Sequence, residues 1–281
     1  MRQSLLPLIL CLSLCLAIAH SPVRAGDDPW PDIHAGVFEG RPIAENDGTV
    51  ALYAPEQAED AAIVPIAIHL PAGVANEAKA ITLIIDRNPA PVAATFRFGG
   101  AFIANAAVGE RKLMTRVRID NFSKVRAILE TKDGKLHMAT KFVRAAGGCS
   151  APASKDADAA LASLGRVQVK TIANAAREPS WREGIVMIRH PNFTGMQMDI
   201  VSRGYTPARY VDLVEVTRGG KLLLRMEGGI SISEDPNLRF NYDASDADAL
   251  EVRAKDSNGT HFAGKSIPSV HNNSQRRVFT S

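Results

Sequence analysis

The stretch Lys112-Leu113-Met114-Thr115-Arg116-Val117-Arg118-Ile119 alternates apolar and polar residues more plainly than any other part of the chain. One face of the corresponding extended strand carries Leu113, Thr115, Val117 and Ile119, and the opposite face carries Lys112, Met114, Arg116 and Arg118. A period of two residues predicts a β-strand that is buried on one face only.

Runs of similar character lie on both sides of this strand. Those in the first half of the chain are residues 63–70, 81–86, 93–98, 124–130 and 135–143. Asp133-Gly134 between the last two runs is a hairpin signal, and no long segment with a helical period interrupts the series. The first half is therefore predicted to be an antiparallel β-sandwich.

A second series of runs fills the other half of the chain. It comprises residues 167–172, 184–190, 210–218, 221–228, 237–242, 249–256 and 261–266. Arg218-Gly219-Gly220-Lys221 and Ser257-Asn258-Gly259-Thr260 have the composition of hairpin turns between these runs. The second half is predicted to be another all-β unit, and the two series share no obvious motif or fixed period.

The chain is long enough for two domains, because roughly 256 residues of mature protein exceed the usual size of one. We predict two β-sandwiches that pack together, over residues 26–144 and 166–281, with an arm and linker over residues 145–165. Two independent sandwiches on a loose tether are the alternative. Residues 26–59 are rich in Pro, Asp and Gly and predict little regular structure, and the linker has the composition for one short helix over residues 156–164.

The N-terminus has the features of a secretion signal, with Arg2 at its start, an apolar run over residues 5–19 and a small-residue cleavage site at Val23-Arg24-Ala25. An apolar run of about 15 residues is short against the roughly 20 that span a bilayer. Residues 1–25 are therefore interpreted as a signal peptide, which leaves no membrane segment after cleavage. Loss of Arg2 and Arg24 lowers the net charge from +3 to about +1, which indicates no nucleic-acid partner.

Cleavage removes two of the three cysteines and leaves Cys149 as a lone thiol. It follows Gly147 and Gly148, and no apolar periodicity around it indicates a packed element, so we expect a mobile arm. A lone cysteine in an exported chain is an intermolecular partner or a free reactive thiol, and an incidental surface residue or small core hydrophobe is the alternative. An extended arm would project the thiol by roughly 20 Å from Val143, far enough to enter the active-site cleft of a partner.

Several strings of residues occur in an order that resembles a pair of related proteins. The first half contains Asp86-Arg87-Asn88-Pro89-Ala90-Pro91, Thr115-Arg116-Val117-Arg118 and, after its last run, Gly147-Gly148-Cys149. The second half contains His190-Pro191-Asn192-Phe193-Thr194-Gly195-Met196-Gln197-Met198-Asp199, Pro207-Ala208-Arg209-Tyr210-Val211 and Asp235-Pro236-Asn237-Leu238-Arg239-Phe240. The first half resembles SoxY and the second resembles SoxZ, the two components of the carrier complex of bacterial sulfur oxidation.

This resemblance implies an all-β fold of two immunoglobulin-like sandwiches and a non-catalytic carrier without a cofactor. It implies that Cys149 holds a substrate-derived, sulfur-containing group covalently and that Gly147 and Gly148 give flexibility to a swinging arm. The chain departs from the SoxY pattern because Ser150-Ala151 replace two glycines and because the arm is internal. In this it resembles single-chain SoxYZ-like carriers associated with quinoprotein dehydrogenases, which implies a periplasmic location and a periplasmic redox enzyme, a quinoprotein dehydrogenase or a cytochrome, as partner.

Two other classes of function compete with a carrier. A module that delivers a metal to an exported quinoprotein dehydrogenase, or helps to assemble it, would draw soft ligands for copper from His137, Met138, Met187, His190, Met196 and Met198. No pair of histidines has the close spacing of a preformed site, so we predict no metal ligands and interpret His190 as a structural histidine beside a proline-directed turn. A Ser-His-Asp hydrolase would need a Gly-x-Ser-x-Gly elbow, which the sequence lacks.

Overall fold

The computed structural model describes residues 28–104, 109–152, 161–173, 181–199, 202–243 and 248–267. The first half contains helices α1 (Trp30–Phe38), α2 (Val74–Glu77) and α3 (Gly100–Ile103) and strands β1 (Ile43–Glu45), β2 (Ala51–Tyr53), β3 (Val64–Leu70), β4 (Ala78–Ile85), β5 (Val92–Phe98), β6 (Arg111–Val117), β7 (Ser123–Thr131) and β8 (Leu136–Val143). The second half contains strands β9 (Val167–Ala173), β10 (Trp181–Ile188), β11 (Val211–Arg218), β12 (Lys221–Gly228), β13 (Asn237–Asp243), β14 (Leu250–Asp256) and β15 (His261–Lys265). The predicted signal peptide and most of the predicted linker helix lie outside the described residues. None of the described helices is long and apolar enough to cross a membrane.

The strands form two sheets, which confirms the predicted all-β class. One sheet has nine strands in the order β1-β8-β7-β4-β5-β12-β11-β14-β15, and the other has six in the order β2-β3-β6-β13-β10-β9. Neighbouring strands run antiparallel except β1 and β8. Every run of residues predicted as a strand is a strand, with ends that agree within about three residues.

The two halves repeat one arrangement of strands. In the first half β3 lies between β2 and β6, and the other sheet has the order β8-β7-β4-β5. In the second half β10 lies between β9 and β13, and the other sheet has the order β15-β14-β11-β12. Strands β2 to β8 therefore correspond, in chain order and in pairing, to strands β9 to β15. Each set is a seven-stranded immunoglobulin-like sandwich, and the repeat lies in the strand pairing, where residue patterns do not show it.

The halves meet edge to edge in both sheets. Strand β5 pairs with β12 over five residue pairs, and β6 pairs with β13 over two. Apolar side chains from both sheets and both halves form one continuous core, to which Ile66, Phe96, Val214 and Phe240 belong. The sandwiches are packed together, as predicted, and are not joined by a loose tether.

The prediction of little regular structure over residues 26–59 was wrong, because α1, β1 and β2 lie there. In α1 the residues Trp30, Ile33 and Phe38 pack on an apolar cluster of the nine-stranded sheet that is separate from the main core. Trp30 also stacks on the guanidinium of Arg126, whose Cζ lies 3.9 Å from a ring centroid of Trp30. Tertiary contacts stabilise this short helix, and local composition does not reveal them.

Strand β6 shows the predicted alternation, since Arg111, Leu113, Thr115 and Val117 are buried and the residues between them are partly exposed. The strand ends at Val117, and Arg118 directly after it is fully buried. Arg118 therefore leaves the polar face that alternation predicted for it and turns inward, toward the segment that carries Cys149.

Candidate functional site

Cys149 lies in the segment that follows β8, which we call the Cys149 segment (residues 145–152). It is the only free cysteine within the described ranges. Its relative exposure is 0%. The segment folds back between the loop after β6 and the loop between β10 and β11. The structure thus differs from the predicted mobile arm and shows a docked one, held by both halves.

Main-chain hydrogen bonds dock the Cys149 segment on the first half. The Gly147 N–H donates to the Asp120 carbonyl at 2.8 Å, and the Gly148 N–H donates to the Ile119 carbonyl at 3.0 Å. The Cys149 N–H donates to Asp120 Oδ1 at 3.3 Å. These bonds fix a backbone that its glycines alone would leave free to move.

The two glycines of the segment have different roles in the docked state. Gly147 has a φ of +77°, in the left-handed region that favours glycine. A Cβ on Gly148 would lie 2.1 Å from the carbonyl oxygen of Ala61 and 2.6 Å from that of Ile119. Gly147 therefore permits a turn and Gly148 permits close packing, while their role as flexible joints of a released arm stays a prediction.

The loop between β10 and β11 forms the other wall of the site, through Thr194. The Thr194 hydroxyl lies 2.6 Å from the Cys149 carbonyl oxygen and 2.9 Å from Gln197 Oε1. It accepts a hydrogen bond from the Met196 N–H at 3.1 Å, while Gln197 Oε1 already accepts one from the Thr194 N–H at 2.8 Å. Because the distance to the Cys149 carbonyl is the shorter of the two, the Thr194 hydroxyl donates its proton to that carbonyl. The Cys149 carbonyl is therefore hydrogen-bonded to a residue of the second half.

Two residues of the docking site, Arg118 and the Gln197 that contacts Thr194, carry buried N–H groups without partners. Arg118 Nη1 donates to the Gly148 carbonyl at 3.1 Å, but Nε and Nη2 of Arg118 and Nε2 of Gln197 have no hydrogen-bond partner. An unsatisfied buried donor costs about 1–3 kcal/mol. The docked arrangement is therefore less stable than its hydrogen bonds alone suggest.

The docked thiol is not a nucleophile. Burial raises the pKa of Cys149 to about 12, with a further increase from the Asp120 carboxylate and a decrease from the Arg118 guanidinium. A thiol with this pKa is protonated at neutral pH, whereas nucleophilic attack requires the thiolate. The docked geometry therefore keeps the thiol protonated and does not activate it for attack.

Asn88 connects the two halves beneath the Cys149 segment. Its buried Nδ2 donates to the Arg118 carbonyl at 2.7 Å and to Ser231 Oγ at 2.9 Å, and its Oδ1 accepts from the Asp120 N–H at 2.9 Å. Asn88 thus positions Arg118 and Asp120, two of the residues that hold the segment on the first half. Sequence reasoning gave Asn88 no individual role, because an asparagine before a proline gives no signal of three buried hydrogen bonds.

The two histidines considered as copper ligands belong to different sheets and have different partners. His137 on β8 pairs with Asp47, with 2.6 Å between Nδ1 and Oδ2. His190 follows β10 of the other sheet, where it is buried and its Nδ1 accepts from the Asn192 N–H at 3.0 Å. Across the described ranges, no group of three or more His, Cys, Asp and Glu residues has the geometry to hold a metal ion.

Two family models together match most of the chain. The model described as sulfur oxidation protein SoxY matches residues 34–149, and the model described as sulphur oxidation protein SoxZ matches residues 169–266. Among solved structures, the chain is similar to the sulfur carrier protein SoxY from Chlorobium limicola f thiosulfatophilum, with 24% identity over 42% of this chain and 91% of that chain and a TM-score of 0.31. No curated protein matches the chain.

Proposed function

Because the chain joins a SoxY domain and a SoxZ domain in one polypeptide, it is a fused SoxYZ-like protein, and we propose that it is a sulfur-oxidation carrier that holds a substrate-derived group covalently on Cys149. The observation that carries this proposal is the position of Cys149, the one free cysteine among the described residues. It ends the SoxY match and lies in a segment held to both halves by hydrogen bonds, outside every strand. Such a segment can be released without unfolding either sandwich.

The chemistry of the thiol requires that release. With a pKa of about 12, the docked thiol is protonated at neutral pH. A thiol in solvent has a pKa of about 8.5, and a few per cent of it is thiolate. The released arm is therefore the state that accepts and delivers cargo, and the docked arm is the protected state.

Electron balance explains why such a carrier needs redox partners. Joining a sulfur anion to the thiol forms one S–S bond, releases the thiol proton and removes two electrons, which an acceptor must take. We propose that the acceptor is a periplasmic redox enzyme, either a quinoprotein dehydrogenase or a cytochrome. The predicted signal peptide over residues 1–25 supports the periplasmic location, and the carrier itself supplies no catalysis.

Intact-mass measurement of protein purified from its host without reductant tests this function. We expect adducts on the wild-type chain that disappear on reduction and that are absent from Cys149→Ser. An unmodified thiol together with stoichiometric bound copper would instead support delivery of a metal and would contradict the carrier.

A further inference from the structure

We propose that Thr194 of the SoxZ-like half is the positioning residue that keeps the arm of the SoxY-like half docked, so that exposure of Cys149 is controlled across the junction between the halves. This inference deepens the proposed function and rests on it. It concerns the step that precedes any chemistry on the thiol, the release of the Cys149 segment.

The two halves hold the two peptide groups that flank the Cα of Cys149. Arg118 Nη1 of the first half binds the Gly148 carbonyl at 3.1 Å, and the Thr194 hydroxyl of the second half binds the Cys149 carbonyl at 2.6 Å. Both hydrogen bonds are made to main-chain carbonyl oxygens, and neither involves the sulfur atom. Docking therefore depends on the backbone of the Cys149 segment, and Thr194 supplies the hydrogen bond from the second half.

Thr194 belongs to a loop that is ordered by contacts of its own. Asn192 Nδ2 donates to the Ile232 carbonyl at 3.3 Å, and Asn192 Oδ1 accepts from the Val211 N–H at 3.1 Å. The Thr194 N–H and hydroxyl are further oriented by Gln197 and by the Met196 N–H. The hydroxyl is therefore held in place before the arm arrives, and the arm is the part that moves.

The docked state is poised for release because it leaves donors unsatisfied. The Nε and Nη2 nitrogens of Arg118 and the Nε2 nitrogen of Gln197 are buried and have no hydrogen-bond partner in the docked state. Release would let water satisfy them, which offsets part of the cost of breaking the docking bonds. Removal of a single bond should therefore shift the equilibrium measurably, by roughly three- to tenfold for one neutral hydrogen bond.

The test is the rate at which a thiol reagent such as 5,5′-dithiobis(2-nitrobenzoate) labels Cys149 in the native, full-length protein. Thr194→Val should be labelled about three to ten times faster than wild type, and Thr194→Ser, which keeps the hydroxyl, should restore the wild-type rate. Thr115→Val is the matched control, because Thr115 is also buried but its Oγ1 has no hydrogen-bond partner. Labelling of this control should stay at the wild-type rate.

Three results would overturn the proposal. They are a wild-type rate in Thr194→Val, a Thr194→Ser variant as fast as Thr194→Val, or equal acceleration by Thr115→Val. If Thr194→Val does not fold, the urea dependence of labelling in the wild type decides, because local release should have a much smaller slope than global unfolding and an equal slope would exclude release. Absence of a cargo adduct would refute the carrier function without changing these rates, so the two failures are distinguishable.

Discussion

Two Gly-Gly pairs of this chain look alike in sequence and differ in structure. Gly219 and Gly220 form the turn between β11 and β12 with φ values of +54° and +72°, and a Cβ on Gly220 would meet no atom within 4 Å. Of Gly147 and Gly148 only the first has a positive φ, and a Cβ on the second would overlap the backbone of Ala61. Gly219 and Gly220 are needed for the left-handed backbone of a turn, whereas Gly148 is needed because no side chain fits at its position. A glycine pair therefore does not by itself indicate a mobile arm.

Replacement of the packed glycine should have the largest effect. We expect Gly148→Val to prevent docking, because its Cβ would lie 2.1 Å from the Ala61 carbonyl oxygen. Loss of several hydrogen bonds at about 1 kcal/mol each should make Cys149 at least about a hundredfold more reactive toward a thiol reagent. Wild-type reactivity in this variant would show that the backbone moves aside at little cost and that the two glycine pairs are equivalent.

The residues around Gly147 and Gly148 can be tested without replacing either glycine. Asn88→Ala removes three buried hydrogen bonds and leaves the Asp120 N–H without its acceptor, so the free energy of unfolding measured in urea should fall by about 2–4 kcal/mol. The exposed Asn121→Ala is the control, with an expected change within about 0.5 kcal/mol. A loss below about 1 kcal/mol for Asn88→Ala would mean that the residue does not support the docked segment.

The pH dependence of labelling distinguishes a docked thiol from a mobile one. Burial raises the pKa of Cys149 to about 12, so docking is at full strength below the ordinary thiol pKa of about 8.5 and weakens as the pH rises from there toward about 12. The labelling rate should keep rising about tenfold per pH unit beyond pH 9, because the reactive thiolate exists only in the released state. A plateau near pH 9 in the wild type would indicate an arm that is already free, whereas Gly148→Val should show that plateau.

The turn pair should give the smallest effect. Gly220→Ala places a side chain at a φ of +72° without any close contact, so its cost is the strain of a left-handed residue, about 1 kcal/mol. Thermal unfolding should register this change, and the labelling rate of Cys149 should not. Faster labelling in Gly220→Ala would show that strain in the second sandwich reaches the docked segment.

The strands could be predicted because their signals are local. Alternation and turn residues such as Asp133-Gly134 are properties of neighbouring positions, whereas α1 depends on Trp30 reaching Arg126 across the sheet. The pairing of β5 with β12 could not be predicted, since it uses backbone groups that every strand carries. Counting cysteines identified Cys149, but its burial depends on Asp120 and Thr194, which are distant in sequence from it and carry no motif for this contact.

The strand pairing between the halves, β5 with β12 and β6 with β13, has a consequence for how the protein is produced in the cell. If the SoxY-like half were made alone, β5 and β6 would be open edges, and the SoxZ-like half alone would expose β12 and β13. Open edges offer unpaired N–H and C=O groups to any strand nearby and promote aggregation. Fusion delivers the matching edges in a strict one-to-one ratio and at a high effective concentration. A single gene product thereby avoids the orphan subunits that unequal synthesis of two chains would leave.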